Sequence, residues 1–279
     1  MSASMLAFVL NDGQMKYLFA DISIYQAIFL RGLLTIPLIA ALAWHQRQLF
    51  IRLSRSDWKF VALRALGEIM ATVGFLTALA HMPLANVTAI LQALPLTVTM
   101  AAALFLAEPV GWRRWTAIGV GFVGVMIIVR PGLEGFSIYS LSALFAVACV
   151  TLRDIATRRL SSEAPSLFVA LITAIAITGL GAVMVPSITW VQPTGSMWLV
   201  ITGASVAIIF GYLFSIMTMR VGEIGFVAPF RYTAMVWAIL MGILIFGEWP
   251  DAYTITGTAV IVITGLYSFH RERLARAKA

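Results

Sequence analysis

Ten stretches of mostly apolar residues, each about twenty residues long, follow one another along this chain. The hydrocarbon core of a bilayer is about 30 Å thick, and a helix that rises about 1.5 Å per residue crosses it in roughly twenty residues. The stretches run continuously instead of alternating, which favours helices over strands. The sequence therefore predicts an all-α membrane protein with ten transmembrane helices. The predicted spans cover residues 3–20, 22–44, 57–80, 84–106, 113–130, 137–158, 166–186, 196–219, 224–246 and 251–269.

The composition excludes the main soluble classes. Hydrophobic residues make up 61% of the 279 residues and charged residues 11%, against about 45–50% and about 25% in a typical soluble domain. A soluble fold of this size cannot hide so much apolar surface. A soluble enzyme, a disordered chain and a secreted disulfide scaffold are therefore excluded. The first span is the most polar, with Asn11, Asp12 and Lys16, which indicates either a helix lining a cavity or a longer helix cut at its start.

The distribution of Lys and Arg predicts the orientation. The junctions after the even-numbered spans and the C-terminal tail carry fourteen of the 19 basic residues, and the other side carries Lys16 and Arg130. Cytoplasmic loops are enriched in Lys and Arg, so we expect both termini in the cytoplasm of a bacterial-type inner membrane. The net charge of +7 follows from this bias and predicts no nucleic-acid partner. The remaining basic residues, Arg31, Arg64 and Arg231, fall inside spans.

An internal repeat divides the chain into two halves. The fourth span ends in Ala107-Glu108-Pro109 and the ninth in Gly247-Glu248-Trp249-Pro250, so the two glutamates lie 140 positions apart. Other residues recur near that offset: Asp12 with Asp154, Asp21 with Glu163, and Gly119 with Gly257.

Each half holds five spans, and an odd number means that the second half enters the membrane from the opposite side. The sequence predicts a first five-helix repeat over residues 1–135 and a second, inverted five-helix repeat over 136–279. Inverted repeats are a common architecture of secondary transporters, in which the two halves rock about a central site.

Taken together, these features resemble the EamA-type branch of the drug/metabolite transporter superfamily. The resemblance covers nearly the whole chain and rests on the five-plus-five spans and on the apolar run before Glu at 104–108 and 244–248. Arg31 and the segment Gly225-Phe226-Val227-Ala228-Pro229 also contribute. Within that branch the chain looks most like the bacterial aromatic amino acid exporters. The resemblance implies a transporter of small organic metabolites that uses no cofactor and has the lipid bilayer as its surroundings.

Ionisable residues inside spans are costly and usually face a cavity or a partner. In the third span Arg64 and Glu68 lie four positions apart on one helix face, continued by Phe75. This pattern predicts either a cavity wall whose carboxylate takes a proton or a substrate amine, or an ion pair within the helix. Arg31 is predicted to pair with Glu68 or with carbonyls near Pro37, or to attract a substrate carboxylate.

The ninth span begins with a proline-containing segment that predicts an interrupted helix. Arg231 follows Pro229 and Phe230 and precedes Tyr232. Proline frees a carbonyl and bends a helix, and broken helices form sites near the midplane of transporters. We expect Arg231 either to contact substrate or to latch onto an acidic residue such as Asp12 or Asp154.

Polar and aromatic side chains complete the predicted site. Thr88, Gln92, Pro95 and Thr99 share one face of the fourth span, which favours a cavity lining over simple helix contacts. A group of aromatic residues is compatible with a stacking pocket for a flat apolar side chain, although helix packing explains each one alone. Its members are Phe75, Phe210, Tyr212, Phe230, Tyr232 and Trp237. His81, at the outer end of the third span, is a candidate gating residue.

Several chemistries find no support in the sequence. Gly119-Val120-Gly121-Phe122-Val123-Gly124 matches a nucleotide fingerprint, but it lies inside a span, where small residues favour close helix packing. No Walker motif or metal-ligand spacing is present, so we expect neither direct ATP coupling nor a metal site. The alternatives left open are a nucleotide-sugar, drug or sugar-phosphate carrier, an intramembrane enzyme and a channel. The small-residue faces are consistent with a monomer or a weak homodimer.

Overall fold

The computed structural model describes residues 1–49, 53–107, 110–132, 136–161, 163–221 and 228–276, with the side chains of 215–221, 228–229 and 272–276 left aside. Within these residues the chain is helical and has no β-strand. The α-helices are α1 Ser2–Leu18, α2 Ile24–His45, α3 Arg55–His81, α4 Leu84–Leu91, α5 Leu94–Phe105, α6 Trp112–Val129, α7 Tyr139–Arg158, α8 Ser166–Met184, α9 Gly195–Val221, α10 Thr233–Met241 and α11 Ala252–Arg276.

Eight segments of the described chain are long and apolar enough to cross a membrane, with α4 and α5 forming one of them. The sequence predicted ten. The ninth predicted span is a shorter apolar segment, Phe230–Phe246. It begins in a 3-10 turn at Ala228–Tyr232 and ends in a π-helical turn at Gly242–Phe246. The first, α1, has 17 residues and carries the polar side chains noted above.

The fourth span is broken where the sequence suggested one continuous face. Helix α4 ends at Leu91 and α5 begins at Leu94, with Pro95 in its first turn. Proline has no N–H to donate, so it suits the start of a helix and disrupts its interior. Thr88 and Gln92 are buried, whereas Pro95 and Thr99 are half-buried.

The most extensive packing joins helices from different halves of the chain. The paired helices are α1 with α9, α2 with α8, α3 with α7 and α6 with α11, and α4 makes a smaller contact with α10. Each pair is antiparallel, as the contacts of α1 with α9 illustrate: the Ser4 hydroxyl donates to the Gly211 carbonyl, while Gln14 lies against Gly203. The halves are therefore interleaved and do not form two separate bundles.

Glycine allows the closest of these crossings. In α6 and α11, a Cβ added to Gly257 would lie 2.5 Å from the Gly124 carbonyl oxygen, and one on Gly124 would lie 2.8 Å from the Gly257 oxygen. Gly124 ends the G-x-G-x-x-G segment, which therefore packs helices and lies in no strand–turn–helix unit.

The bundle has two distinguishable ends. We call the end where α3 begins and α7 finishes the basic end. There the buried Asp57 carboxylate accepts a hydrogen bond of 2.9 Å from the Ser161 N–H, and Arg159 donates to the Phe105 carbonyl. At the opposite end, where α3 meets α4, the loop between α8 and α9 is bound to α2. The Gln26 side-chain amide donates to the Val191 carbonyl and accepts from the Val191 N–H.

Candidate functional site

A cavity of about 410 Å³ lies between α2, α8 and α9 and extends towards the α7–α8 loop at the basic end. This volume falls within the range of about 300–1,000 Å³ that is usual for small-molecule sites. Most of its wall is aliphatic, with hydroxyl groups from Thr and Ser side chains and two arginines, Arg31 and Arg64. The cavity therefore offers an apolar chamber with a few concentrated polar groups.

Small residues explain why the gap opens where it does. Gly181 of α8 packs directly on the α2 backbone, since a Cβ there would lie 2.9 Å from the Phe29 nitrogen. Gly32 similarly receives the Thr178 side chain. Beyond this contact, towards Ile39 and Val169, larger side chains line the cavity.

Arg31 and Tyr212 form the inner wall of this cavity. Arg31 Nη1 donates to Asn11 Oδ1 at 2.9 Å, and the Asn11 amide donates to Asp12 Oδ1 at 2.9 Å. Tyr212 packs edge-on against Phe8, with ring centroids 5.5 Å apart. The sequence placed Arg31 near Glu68 or Pro37, and the structure gives it a partner on α1 instead.

Glu68 takes part in an ion pair that joins α3 to α7. Arg153 Nη1 lies 2.9 Å from Glu68 Oε2, and Arg153 Nη2 lies 2.8 Å from Asp154 Oδ1. Gly67 permits this approach, because a Cβ there would lie 3.2 Å from the Arg153 nitrogen. The expected Arg64–Glu68 pair within α3 is replaced by the cross-helix pair, and Arg64 Nη1 donates to Thr157 Oγ1 at 2.7 Å.

Arg153 was missed by sequence reasoning. Arg153 was counted with the basic residues of the cytoplasmic junction although it falls within the predicted sixth span, 137–158, and α7 places it inside the helix. The adjacent opposite charges of Arg153 and Asp154 in an apolar segment were the available signal. Asp154 also interacts electrostatically with Arg231, which is half-buried.

The remaining predicted residues cluster around α4 and α10, away from the residues that line the cavity. Gln92 Nε2 donates to the Tyr232 carbonyl at 3.4 Å. Thr88 is buried in α4, the helix that ends just before Gln92. Trp237 and Phe75 pack on the apolar core. Among the described atoms, the buried Trp237 Nε1 and Tyr232 Oη have no hydrogen-bond partner.

The six aromatic residues do not converge on one pocket. Phe230 is 42% exposed, and Phe210, 47% exposed, packs on Phe214 at the surface. Tyr212 belongs to the cavity, whereas Tyr232 is buried against Gly265 of α11. Pro229 begins the 3-10 turn before α10, and its side chain lies outside the described residues.

Charged groups connect several helices at the opposite end of the bundle. Lys16 Nζ lies 2.6 Å from Glu248 Oε1 and donates to the Met82 carbonyl at 2.7 Å. Glu248 Oε2 also accepts a hydrogen bond of 3.0 Å from the Leu84 N–H. These contacts, which we call the Lys16–Glu248 tie, connect α1, the α3–α4 junction and the end of the ninth span. The sequence singled out Glu248 as a repeat marker but gave no sign of Lys16 as its partner.

Two further contacts reinforce this end. His81 stacks on Tyr139, with ring centroids 3.9 Å apart, and thereby joins α3 to α7. Arg130 pairs with Asp251 and lies over the Tyr253 ring, which joins α6 to α11. Glu108, the counterpart of Glu248 in the repeat, lies outside the described residues.

Comparison with known proteins places the chain among transporters. Residues 1–130 match the EamA-like transporter family. The riboflavin transporter of Vibrio cholerae is 30% identical over 218 residues, which cover 77% of this chain and 72% of the relative. The S-adenosylmethionine uptake transporter of Rickettsia felis is 24% identical over 278 residues, covering 99% and 92%. The pseudopaline exporter CntI of Pseudomonas aeruginosa is 28% identical over 262 residues, covering 92% and 89%.

One solved structure, 18% identical, aligns over 98% of each chain with a TM-score of 0.63. This likeness shows that the fold is shared and says nothing about substrate. None of the three relatives above is named an amino acid exporter, so the narrower resemblance remains a prediction.

Proposed function

The chain belongs to the EamA-like transporter family, and we propose that it exports small organic metabolites, principally aromatic and other neutral amino acids, by alternating access. The family and the names of the relatives indicate a multi-pass membrane transporter and not an enzyme. The observation that carries the proposal is the contrast between the two ends. A cavity reaches towards the basic end, while the Lys16–Glu248 tie connects the helices at the other end, and we propose that it holds that end closed.

Alternating access requires two halves that can exchange roles, and we propose the inverted repeats 1–135 and 136–279 for this purpose. The helix pairing supports them. If every helix is exchanged for the corresponding helix of the other repeat, the α1–α9 pair becomes the α7–α3 pair, which is also observed. It leaves the pairs α2–α8, α4–α10 and α6–α11 unchanged. A pseudo-two-fold axis in the membrane plane produces antiparallel pairs of this kind.

The positive-inside bias places the basic end and both termini in the cytoplasm of a bacterial inner membrane. The cavity then loads from the cytoplasm, as an exporter requires. The sequence contains no Walker motif, so the substrate gradient or a proton gradient drives transport. We place the protein in the bilayer as a monomer or a weak homodimer.

We assign the substrate pathway to the residues between the cavity and the α4–α10 contact. Its proposed lining comprises Glu68, Phe75, Thr88, Gln92, Tyr212, Phe230, Arg231, Tyr232 and Trp237. Glu68 is the candidate for proton coupling, because its ion pair with Arg153 joins helices from the two halves. His81, Pro95, Asp154 and Pro229 are assigned structural or gating roles. Arg31 and Arg64, which the sequence placed in the same structural or gating group, line the cavity itself.

A second candidate function is the transport of a larger nucleoside-containing substrate such as S-adenosylmethionine. It is favoured by the similarity to the Rickettsia felis uptake transporter, which covers 99% of this chain. The cavity of about 410 Å³ also has more room than a single small amino acid needs.

The test is counterflow in proteoliposomes containing the purified full-length chain. Vesicles preloaded with phenylalanine, threonine, S-adenosylmethionine, riboflavin or a nucleotide sugar are assayed for uptake of the same radiolabelled compound. We expect saturable exchange of phenylalanine or threonine, stimulated by preloading. Exchange of S-adenosylmethionine alone supports the second candidate, and exchange of none of these compounds contradicts both.

The Lys16–Glu248 tie makes a separate prediction about the closed end. Replacing Lys16 with glutamine removes a partly buried ion pair and a hydrogen bond to the Met82 carbonyl. Because such a pair contributes about 0.5–1 kcal/mol, we expect the open population at this end to rise about threefold. The measurement is maleimide labelling of a cysteine introduced at the buried Ala85, in a Cys149→Ser background.

Lys59→Gln is the matched control, because Lys59 is exposed at the basic end. Its labelling rate should equal that of the parent protein. A Lys16→Gln variant labelled no faster than the control would show that the tie does not hold this end closed.

A further inference from the structure

We propose that the cavity between α2, α8 and α9 recognises the carboxylate of its substrate through Arg31 and Arg64, and that this anionic group is the feature the substrate must carry. The inference rests on the proposed transport function and names its substrate class: amphipathic organic acids with an apolar body. The sequence left Arg64 open between a cavity wall and an ion pair within its own helix, and it gave Arg31 a substrate carboxylate as one alternative; the structure lines one cavity with both arginines.

The charges around the cavity are unbalanced. Arg31 and Arg64 line it, and none of the described residues that line it is acidic. Asp12 and Glu68 both interact electrostatically with Arg31, but each also has a hydrogen-bonding partner outside the lining: Glu68 pairs with Arg153, and Asp12 accepts the Asn11 amide. Cationic groups inside a membrane protein are costly unless a partner compensates them. An anionic substrate supplies that partner when it binds.

Both arginines also have N–H groups that are available for further hydrogen bonds. A guanidinium group carries five N–H donors. Arg31 uses one of them for Asn11, and Arg64 uses one for Thr157. Arg64 Nε is buried and has no hydrogen-bond partner among the described residues. A buried donor without a partner costs free energy that an incoming oxygen recovers.

Arg64 is held ready for such a ligand by α7. Thr157 Oγ1 donates to the Arg153 carbonyl at 2.7 Å, so its lone pairs point away from its own helix and accept from Arg64 Nη1. This hydrogen bond restricts the orientation of the guanidinium group before substrate arrives. A planar fork oriented in this way matches the two oxygens of a carboxylate.

The remaining wall of the cavity determines which groups it accommodates at the end of the substrate opposite the carboxylate. Ile28, Ile39, Val169 and Ile177 give it an aliphatic wall. With no carboxylate among the described lining residues, a substrate ammonium group finds no ionic partner there. The site therefore selects for an anionic end and an apolar body, and it is indifferent to an amino group.

The test compares acids with matched compounds that lack the negative charge. L-phenylalanine is paired with L-phenylalaninamide, and S-adenosylmethionine with its decarboxylated form, as competitors of counterflow. The proteoliposomes contain phosphatidylcholine alone, so that no anionic lipid headgroup supplies the charge. We expect each acid to compete at least about tenfold better than its partner, which corresponds to about 1.4 kcal/mol.

Arg64→Gln should reduce this preference at least about fivefold, and Arg64→Lys should retain part of it because the charge remains. Arg31→Gln tests the second arginine, and Arg113→Gln, at an exposed position outside the cavity, is the matched control. A merely structural role for Arg64 would lower competition by both members of a pair equally.

The outcomes separate the inference from the function on which it rests. Equal competition by acid and amide in the parent protein overturns the inference while transport stands. An unchanged preference in both Arg64→Gln and Arg31→Gln also overturns it. If the parent protein exchanges none of the compounds, the proposed function fails and the inference fails with it.

Discussion

Replacing Glu68 with glutamine is expected to slow counterflow at least about tenfold while leaving the protein folded. The substitution keeps the size of the side chain but removes the charge that Arg153 contacts at 2.9 Å. A hydrogen bond between charged groups contributes about 1.5–3 kcal/mol, and about 1.4 kcal/mol changes a population tenfold. Arg153 keeps Asp154 as a partner, so the fold survives while the α3–α7 contact weakens.

The measurement is the counterflow rate at several pH values. Glu68 faces Arg153 of α7, and it also interacts electrostatically with Arg31 of α2 and Tyr212 of α9. If Glu68 carries the coupled proton, the pH dependence flattens together with the loss of rate.

Glu163→Gln provides the same chemical change at an exposed position in the α7–α8 loop. It should leave both the rate and the pH profile unchanged. If Glu68→Gln behaves like this control, Glu68 has no role in coupling and its ion pair does not contribute to the transport cycle.

Replacing Gly257 with valine is expected to destabilise the whole bundle. The new Cβ would lie 2.5 Å from the Gly124 carbonyl oxygen and 2.5 Å from Ile128 Cγ1. Because one of these neighbours is backbone, α6 and α11 must move apart and lose contacts along their length. Overpacking typically costs about 1–3 kcal/mol, and we expect a loss near the upper limit, about 3 kcal/mol of unfolding free energy.

The loss is measured as the fraction of monodisperse protein remaining after heating in detergent, followed by size-exclusion chromatography. Gly119→Val is the matched control on α6, since a Cβ at Gly119 has no neighbour within 4 Å. Equal stability of the two variants would mean that the α6–α11 crossing tolerates a larger separation and does not brace the halves.

The sequence predicted the helices better than their partners. Eight of the ten predicted spans are long, apolar segments in the described chain. The close packing of Gly124 also follows from local residue types, whereas the break beside Pro95 interrupts a span that was predicted to be continuous. In addition, Arg153 was counted with the basic residues of a junction, and the Lys16–Glu248 tie joins residues far apart in the sequence.

For the substrate site as well, the sequence identified individual residues but not their partners. Arg31, Arg64 and Tyr212 stood out as polar groups in apolar spans, and the structure places them around one cavity. Gln92 and Tyr232 stood out for the same reason, yet they contact each other at the α4–α10 interface. Periodicity along one helix identifies which residues share a face, but it does not say which neighbour that face meets.

The amino-acid sequence alone determined the class of protein, the approximate extent of its spans and the excess of positive charge on one side. These properties depend on the hydropathy and charge of neighbouring residues, which add up along the chain. Only the tertiary structure decided which charges pair, where the helices separate and which helices the charged groups connect. Those outcomes depend on the crossing points of distant helices, where a glycine such as Gly67 or Gly181 sets how closely two backbones approach.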